Sequence, residues 1–145
     1  MIRVQGDIRK ATPDDAVGLT DCTAAAYAGF DIPDLPDVTI GIADDIAAHT
    51  VLVCVHQGRI IGGLILSVDG SAAHLRNVAV HPDHNGRGIG TALINAAIAT
   101  LDPRQVKSVD LATHRAMPGN VVLYSRLGWV ETGRAGNKIL MTRAL

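Results

Sequence analysis

The sequence predicts a mixed α/β fold of the α+β kind, in one domain, on a central and mostly antiparallel sheet. Three observations predict it. Two β-prone runs, Val51–Val55 and Arg59–Val68, flank Gln57-Gly58 and read as a hairpin. A further run, Ala73–Val80, leads through the glycine-rich loop Gly86-Arg87-Gly88-Ile89-Gly90 into an apolar helical pattern. The chain closes on two short strand-like runs, Trp129–Gly133 and Lys138–Arg143. A doubly wound parallel sheet would alternate strand and helix throughout, and this order does not.

The elements follow in order. Ile8–Ala11 reads as a short strand. Thr12-Pro13-Asp14-Asp15 reads as a helix start: a capping threonine, proline in the first turn and acids at the positive end. An alanine-rich helix continues to about Tyr27. Asp31–Asp37 contains two prolines and reads as a loop, and Ile42–Ala48 as a short helix. After the hairpin and Ala73–Val80, the residues Leu93, Ile94, Ala97, Ile98 and Leu101 share one helical face. Val106–Ala112 is the fifth strand, and a helix from Asn120 to Leu127 precedes the closing pair.

Composition narrows the function. Apolar residues make up 48% of the 145, enough for a core and against disorder. The formal net charge is −1, which offers no general attraction to nucleic acid or an anionic membrane. The two cysteines, Cys22 and Cys54, lack framework spacing; they read as small buried hydrophobes in a reducing, cytoplasmic setting. Met1-Ile-Arg-Val-Gln5 has no apolar signal-peptide core, and no run is long enough to span a bilayer. The six histidines show no metal-ligand spacing, so no metal is expected.

The glycine loop carries the chemistry. Glycines let a ligand approach the backbone closely, and the first turn of a helix presents unpaired N–H donors with partial positive charge. That combination suits a phosphate or pyrophosphate. A P-loop would need Gly-Lys-Ser/Thr, but Gly90 is followed by Thr91-Ala92. A dinucleotide fingerprint needs G-x-G-x-x-G directly after a strand, whereas here the glycines are two apart and His81-Pro-Asp-His-Asn85 intervenes.

The six residues Asn85-Gly-Arg-Gly-Ile-Gly90, with Val78-Ala-Val-His-Pro82 upstream, resemble the acyl-CoA loop R/Q-x-x-G-x-G/A of the GCN5-related N-acetyltransferase (GNAT) family. Asn85 stands where arginine or glutamine is usual; it keeps the backbone N–H and shortens the reach. Asn120, Tyr124, Gly128 and Trp129 are similar to the N-x-x-x-Y-x-x-x-G-F/Y/W signature of one branch of that family. Many relatives place the asparagine seven residues before the tyrosine, where this chain has Met117.

The resemblance implies a sheet of about six to seven strands with about four helices, whose parallel fourth and fifth strands splay to admit the pantetheine arm. It also implies transfer of an acetyl group from acetyl-CoA to a primary amine by direct attack in a ternary complex. The implied cofactor-binding residues are Val78, Ala79 and Val80 on the strand edge, Asn85, Gly86, Arg87, Gly88, Ile89, Gly90 and Thr91 at the loop, and Asn120. Asn120 could equally cap its helix. A backbone N–H near Val80 is placed to face the carbonyl oxygen as it gains charge.

Tyr124 is the expected proton donor to the departing thiolate. A phenol, ordinarily of pKa about 10, can return a proton to a thiolate of about 8.5. Many relatives carry a glutamate base at the start of the fourth strand, where this chain has His74-Leu-Arg-Asn77. An imidazole ordinarily titrates near neutrality, which makes His74, His84 and His114 the side chains weighed in its place, while His81 and His84 beside the loop read as solvated surface. Tyr27, Phe30, Asn77 and His114 are the acceptor-side candidates. The aspartates of Asp31–Asp37 could form an acidic wall for a cationic amine or serve as turn residues.

The acceptor is then a small-molecule or peptide amine, and paired closing strands would allow a homodimer. Two alternatives stay open: a non-catalytic acyl-CoA-binding module, against which Tyr124 speaks, and a toxin-like aminoacyl-tRNA acetyltransferase. The latter calls for a basic face, and 13 Lys and Arg stand against 14 Asp and Glu.

Overall fold

The computed structural model describes residues 6–30 and 37–145. The Asp31–Asp37 loop and its acidic wall therefore lie outside the described residues, apart from Asp37. The described chain forms two compact units, Met1–Leu66 with Asn77–Thr100, and Ser67–Arg76 with Leu101–Leu145.

The first unit opens with β1 (Asp7–Lys10), a 3-10 turn at Pro13–Asp15 and helix α1 (Ala16–Tyr27). The helix was expected to run unbroken from Thr12. Asp15 instead anchors a separate first turn, its carboxylate accepting from the Thr12 backbone N–H at 2.7 Å and from Arg9 at 2.7 and 2.9 Å. Helix α2 (Ile42–Ala48) has the expected bounds. β2 (Thr50–His56) and β3 (Arg59–Asp69) form the expected antiparallel hairpin. Gln57, at φ +52°, and Gly58, at φ +74°, supply its left-handed turn. β4 (Ala72–Val80) follows, then a 3-10 turn at Pro82–His84 and helix α3 (Ile89–Ala99).

Two adjacent glycines of β3 set the packing of this unit. A Cβ on Gly62 would lie 2.9 Å from Ile89 Cγ2 and 3.2 Å from Leu93 Cδ1, both on α3. A Cβ on Gly63 would collide with Leu19 Cδ1 on α1. Successive strand residues face opposite sides, so the pair opens both faces of the strand to a helix. On the α1 side, Leu19, Ile42, Ile46, Val51, Val53 and Ile65 share one buried cluster.

In the second unit, Ala72–Leu75 of β4 pairs in parallel with Ser108–Leu111 of β5 (Ser108–His114). α4 (Pro118–Arg126), β6 (Val130–Ala135) and β7 (Lys138–Ala144) complete it, with β7 antiparallel to both β5 and β6. Strand order is β1-β2-β3-β4-β5-β7-β6, a seven-stranded, mostly antiparallel sheet with its parallel pair at β4–β5. That ladder ends at Leu75 and Leu111, while β4 runs on to Val80 and β5 to His114.

Several expected boundaries shift, among them β1, which is Asp7–Lys10 rather than Ile8–Ala11, and β6, which is Val130–Ala135 rather than Trp129–Gly133. Strand β5 begins at Ser108 rather than Val106, because Val106 N–H closes a turn onto the Asp102 carbonyl at 2.8 Å. Helix α4 begins at Pro118 rather than Asn120, since proline loses nothing at a first helical position, where the N–H has no partner anyway.

Candidate functional site

The glycine loop is an open turn that leads directly into α3. Gly86 and Gly88 adopt φ +77° and +78°, a region that side-chain-bearing residues avoid, and Gly88 is the residue before α3. A Cβ at either would meet nothing within 4 Å, so the space beside both glycines is open. The first intrahelical bond of α3 runs from Ala92 N–H to Gly88 O at 3.0 Å. Ile89, Gly90 and Thr91 therefore carry first-turn N–H groups that the helix itself does not use. Ile89 is buried under β3, which pins the helix start, while Asn85 to Gly88 are exposed. Gly90 faces β4, where a Cβ would sit 3.7 Å from Val80 Cγ2 and 3.9 Å from Val78 Cγ1, in ordinary contact.

The backbone N–H groups at the end of β4 alternate between its two edges. His81 N–H donates to the Ile61 carbonyl of β3 at 2.8 Å. Alternation then turns the N–H groups of Val78 and Val80 to the opposite edge, beyond the last β5-paired residue, Leu75, while Ala79 is buried.

His81 itself is not the solvated residue expected. Its side chain is 14% exposed, and its Nδ1 accepts from Asp83 N–H at 3.2 Å, capping the 3-10 turn that feeds the loop. His84 stacks edge-on near both His56 and His81, with ring centroids 6.1 and 6.2 Å apart. Partial desolvation, then the Arg87 guanidinium, push its imidazole down.

Tyr27, Phe30 and Asn77 are brought together on the first unit. Tyr27 Oη donates to Asn77 Oδ1 at 2.9 Å, and the Tyr27 and Phe30 rings lie 6.3 Å apart. Burial pushes the Tyr27 phenol up, so it remains a donor at neutral pH. Phe30 is 44% exposed, an unusual surface position for a phenyl ring.

In the second unit, Tyr124 is buried in α4 and stacks edge-on with Trp129, ring centroids 5.9 Å apart. Trp129 is fixed in turn by Nε1–H donation to the Val109 carbonyl at 2.9 Å and by the Arg143 guanidinium 5.4 Å above its ring. Gly128, at φ +100°, ends the helix as expected. Asn120 does not cap it. Met117 holds that position, and Asn120 Nδ2 reaches Thr113 Oγ1 on β5 at 3.4 Å. His114 closes β5 with its Nδ1 accepting from Ala116 N–H at 3.0 Å. Among the described residues, no group of three or more His, Cys, Asp or Glu is placed to hold a metal ion.

What sequence reading missed is contact across long separations: Tyr27 with Asn77, and the two glycines of β3. The Gly62-Gly63 pair inside a strand run was the available signal, since glycine there marks close approach of another element.

Known proteins agree with this architecture. A mycothiol acetyltransferase from Frankia casuarinae is 37% identical over 112 residues, covering 75% of this chain and 30% of that protein. A second, from Clavibacter sepedonicus, is 32% identical over 122 residues, covering 79% of this chain and 40% of its own. The chain thus spans less than half the length of these relatives. Among solved structures, the PaiA N-acetyltransferase of Thermoplasma acidophilum in complex with coenzyme A superposes with TM-score 0.85 at 17% identity, covering 96% of this chain and 98% of that one. An acetyltransferase from Thermus thermophilus gives TM-score 0.80 at 17% identity over 100% of both chains. Residues 47–131, which hold the β2–β3 hairpin, the glycine loop and the tyrosine helix, match the family described as "Acetyltransferase (GNAT) domain", and the chain belongs to that family.

Proposed function

We propose that this chain transfers the acetyl group of acetyl-CoA to an amine. The observation that carries the reading is the loop Gly86–Gly88, whose two glycines are left-handed and face open space, set against the first-turn N–H groups of α3. Those donors suit a diphosphate, and the absence of side chains at Gly86 and Gly88 lets one approach the backbone. The backbone N–H groups of Val78 and Val80 would align an extended arm as a strand edge aligns a peptide. Bound acetyl-CoA supplies the acetyl group as an activated thioester. As the amine nitrogen bonds to the acetyl carbon and the carbon–sulfur bond breaks, an N–H of this edge would stabilise charge on the carbonyl oxygen. Tyr124 would give its proton to the departing thiolate and recover one from solvent, while the amine's own proton leaves to water.

On the acceptor side, Tyr27 would fix the Asn77 amide, with Phe30 and His114 as further candidates. The mycothiol acetyltransferases among the relatives make an acceptor of the mycothiol class the first to assay, followed by amino acids and peptide amines. Cys22 and Cys54 are both buried, which fits a reducing cytoplasm, and no helix of the described residues is long and apolar enough to cross a membrane.

Two measurements test the reading. A thermal-shift panel of acetyl-CoA, CoA, ATP and NAD should show stabilisation by the CoA ligands alone, and a response confined to NAD defeats the reading. A free-thiol assay across the amine panel should show acceptor-dependent release; binding of acetyl-CoA without release on any amine would leave a non-catalytic binding module.

A further inference from the structure

A cavity of about 180 Å³ opens in the first unit, lined by Gly18, Asp21 and Cys22 of α1, Arg59 and Ile60 of β3, and His81. Its polar groups are mismatched in an informative way. His81 Nδ1 accepts from Asp83 N–H at 3.2 Å, an arrangement that in the neutral ring leaves the proton on Nε2. Arg59 Nη2 lies 3.3 Å from that Nε2. A guanidinium has no lone pair to offer, and a neutral imidazole has one, already used. Two donors thus face each other at the cavity wall, and one oxygen placed to accept from both would satisfy them.

The opposite wall carries the complementary charge. Asp21 is exposed where it lines the cavity, and among the described residues no hydrogen bond or ion pair joins it to Arg59. A simple dianion would meet Asp21 as a like charge. The floor is small and neutral: Cys22 is 2% exposed, and burial pushes its thiol up to about 11, so it presents S–H rather than thiolate. Gly18 and Ile60 complete an apolar side, where a Cβ on Gly18 would lie only 3.0 Å from Ile60 Cδ1.

We propose that this cavity binds a small α-amino carboxylate as its zwitterion, with the carboxylate bridging Arg59 and His81 Nε2–H and the ammonium on Asp21. The short side chain lies over Ile60 and Cys22. The site needs neither acetyl-CoA nor turnover.

The test uses the full chain without acetyl-CoA. Calorimetric titration compares L-alanine with propionate, ethylamine and inorganic phosphate. L-alanine should bind, and propionate and ethylamine should each bind at least roughly tenfold more weakly, the scale of one lost charge-assisted contact. Asp21→Asn should lower alanine affinity to the level of propionate, and Arg59→Gln should lower it by roughly tenfold or more. Acetyl-CoA affinity, measured on the same samples, should be unchanged in both variants; that shows them folded and keeps this result separate from the acetyl-transfer reading. Nitrogen-15 spectra should show the His81 proton on Nε2. Absent alanine binding, equal binding of propionate, preference for phosphate or a proton on Nδ1 each overturns the proposal.

Discussion

Gly88 holds a backbone angle, φ +78°, that an alanine tolerates at a cost of about 1–2 kcal/mol. Gly88→Ala should therefore lower the thermal midpoint and weaken acetyl-CoA binding together, since the strained turn and the cradle are the same atoms. Titration calorimetry checks the second effect; intact affinity would place the phosphates elsewhere. Tyr124→Phe keeps the ring against Trp129 and removes one hydroxyl. It should lower kcat on the order of 10²-fold, as loss of a general acid does, with KM for acetyl-CoA nearly unchanged. A third residue controls the acid limb of stability. The Arg9 guanidinium, against desolvation and aided by the Thr12 N–H, holds the Asp15 carboxyl well below the usual carboxylate range. A carboxyl depressed in the folded chain stabilises it fully above its unfolded pKa of about 4, and that contribution is lost as pH falls through the folded value. Urea unfolding of wild type and Asp15→Asn should thus show a gap that is constant from pH 7 to 5 and closes progressively below pH ~4.

Among the elements, β3 is the least forgiving. Gly62→Ala places a methyl against Ile89 and the Ala79 carbonyl, the latter 3.3 Å away and unable to turn aside. Gly63→Ala drives one into Leu19. Each should cost about 1–3 kcal/mol by overpacking, read as a lower denaturant midpoint at unchanged slope. The same strand shows where sequence reading stops. Periodicity located the Arg59–Val68 run, the Gln57-Gly58 turn and α2 because those signals are local. The glycine loop was legible because left-handed backbone and glycine go together, and the end of α4 at Gly128 for the same reason. Asn120 was ambiguous because a capping residue and a residue reaching the next strand share one composition; a proline two positions earlier decided the helix start. The Tyr27–Asn77 bond joins residues 50 apart, and Arg59 meets His81 across 22, so no local pattern announces either. The solvated reading of His81 failed on the same ground, since its burial comes from α1 and β3 rather than from its neighbours in sequence.

At the scale of the molecule, β3 and β4 each contribute residues to both compact units. We expect one cooperative domain, because two strands run through both units. Scanning calorimetry should give a van't Hoff enthalpy equal to the calorimetric one, and a ratio well below unity would show that the units melt apart. Acetyl-CoA should raise the single midpoint, by about 2.7 kcal/mol of added stability at a hundredfold excess over its Kd.

Trp129 is the chain's sole tryptophan, and it stands ring-to-ring with Tyr124 under a guanidinium. Its emission consequently comes from a single, fixed vantage point beside the phenol assigned to proton donation. A molecule that docks on that phenol should alter the quantum yield of the neighbouring indole, an intrinsic optical readout of the proposed reaction that needs no label.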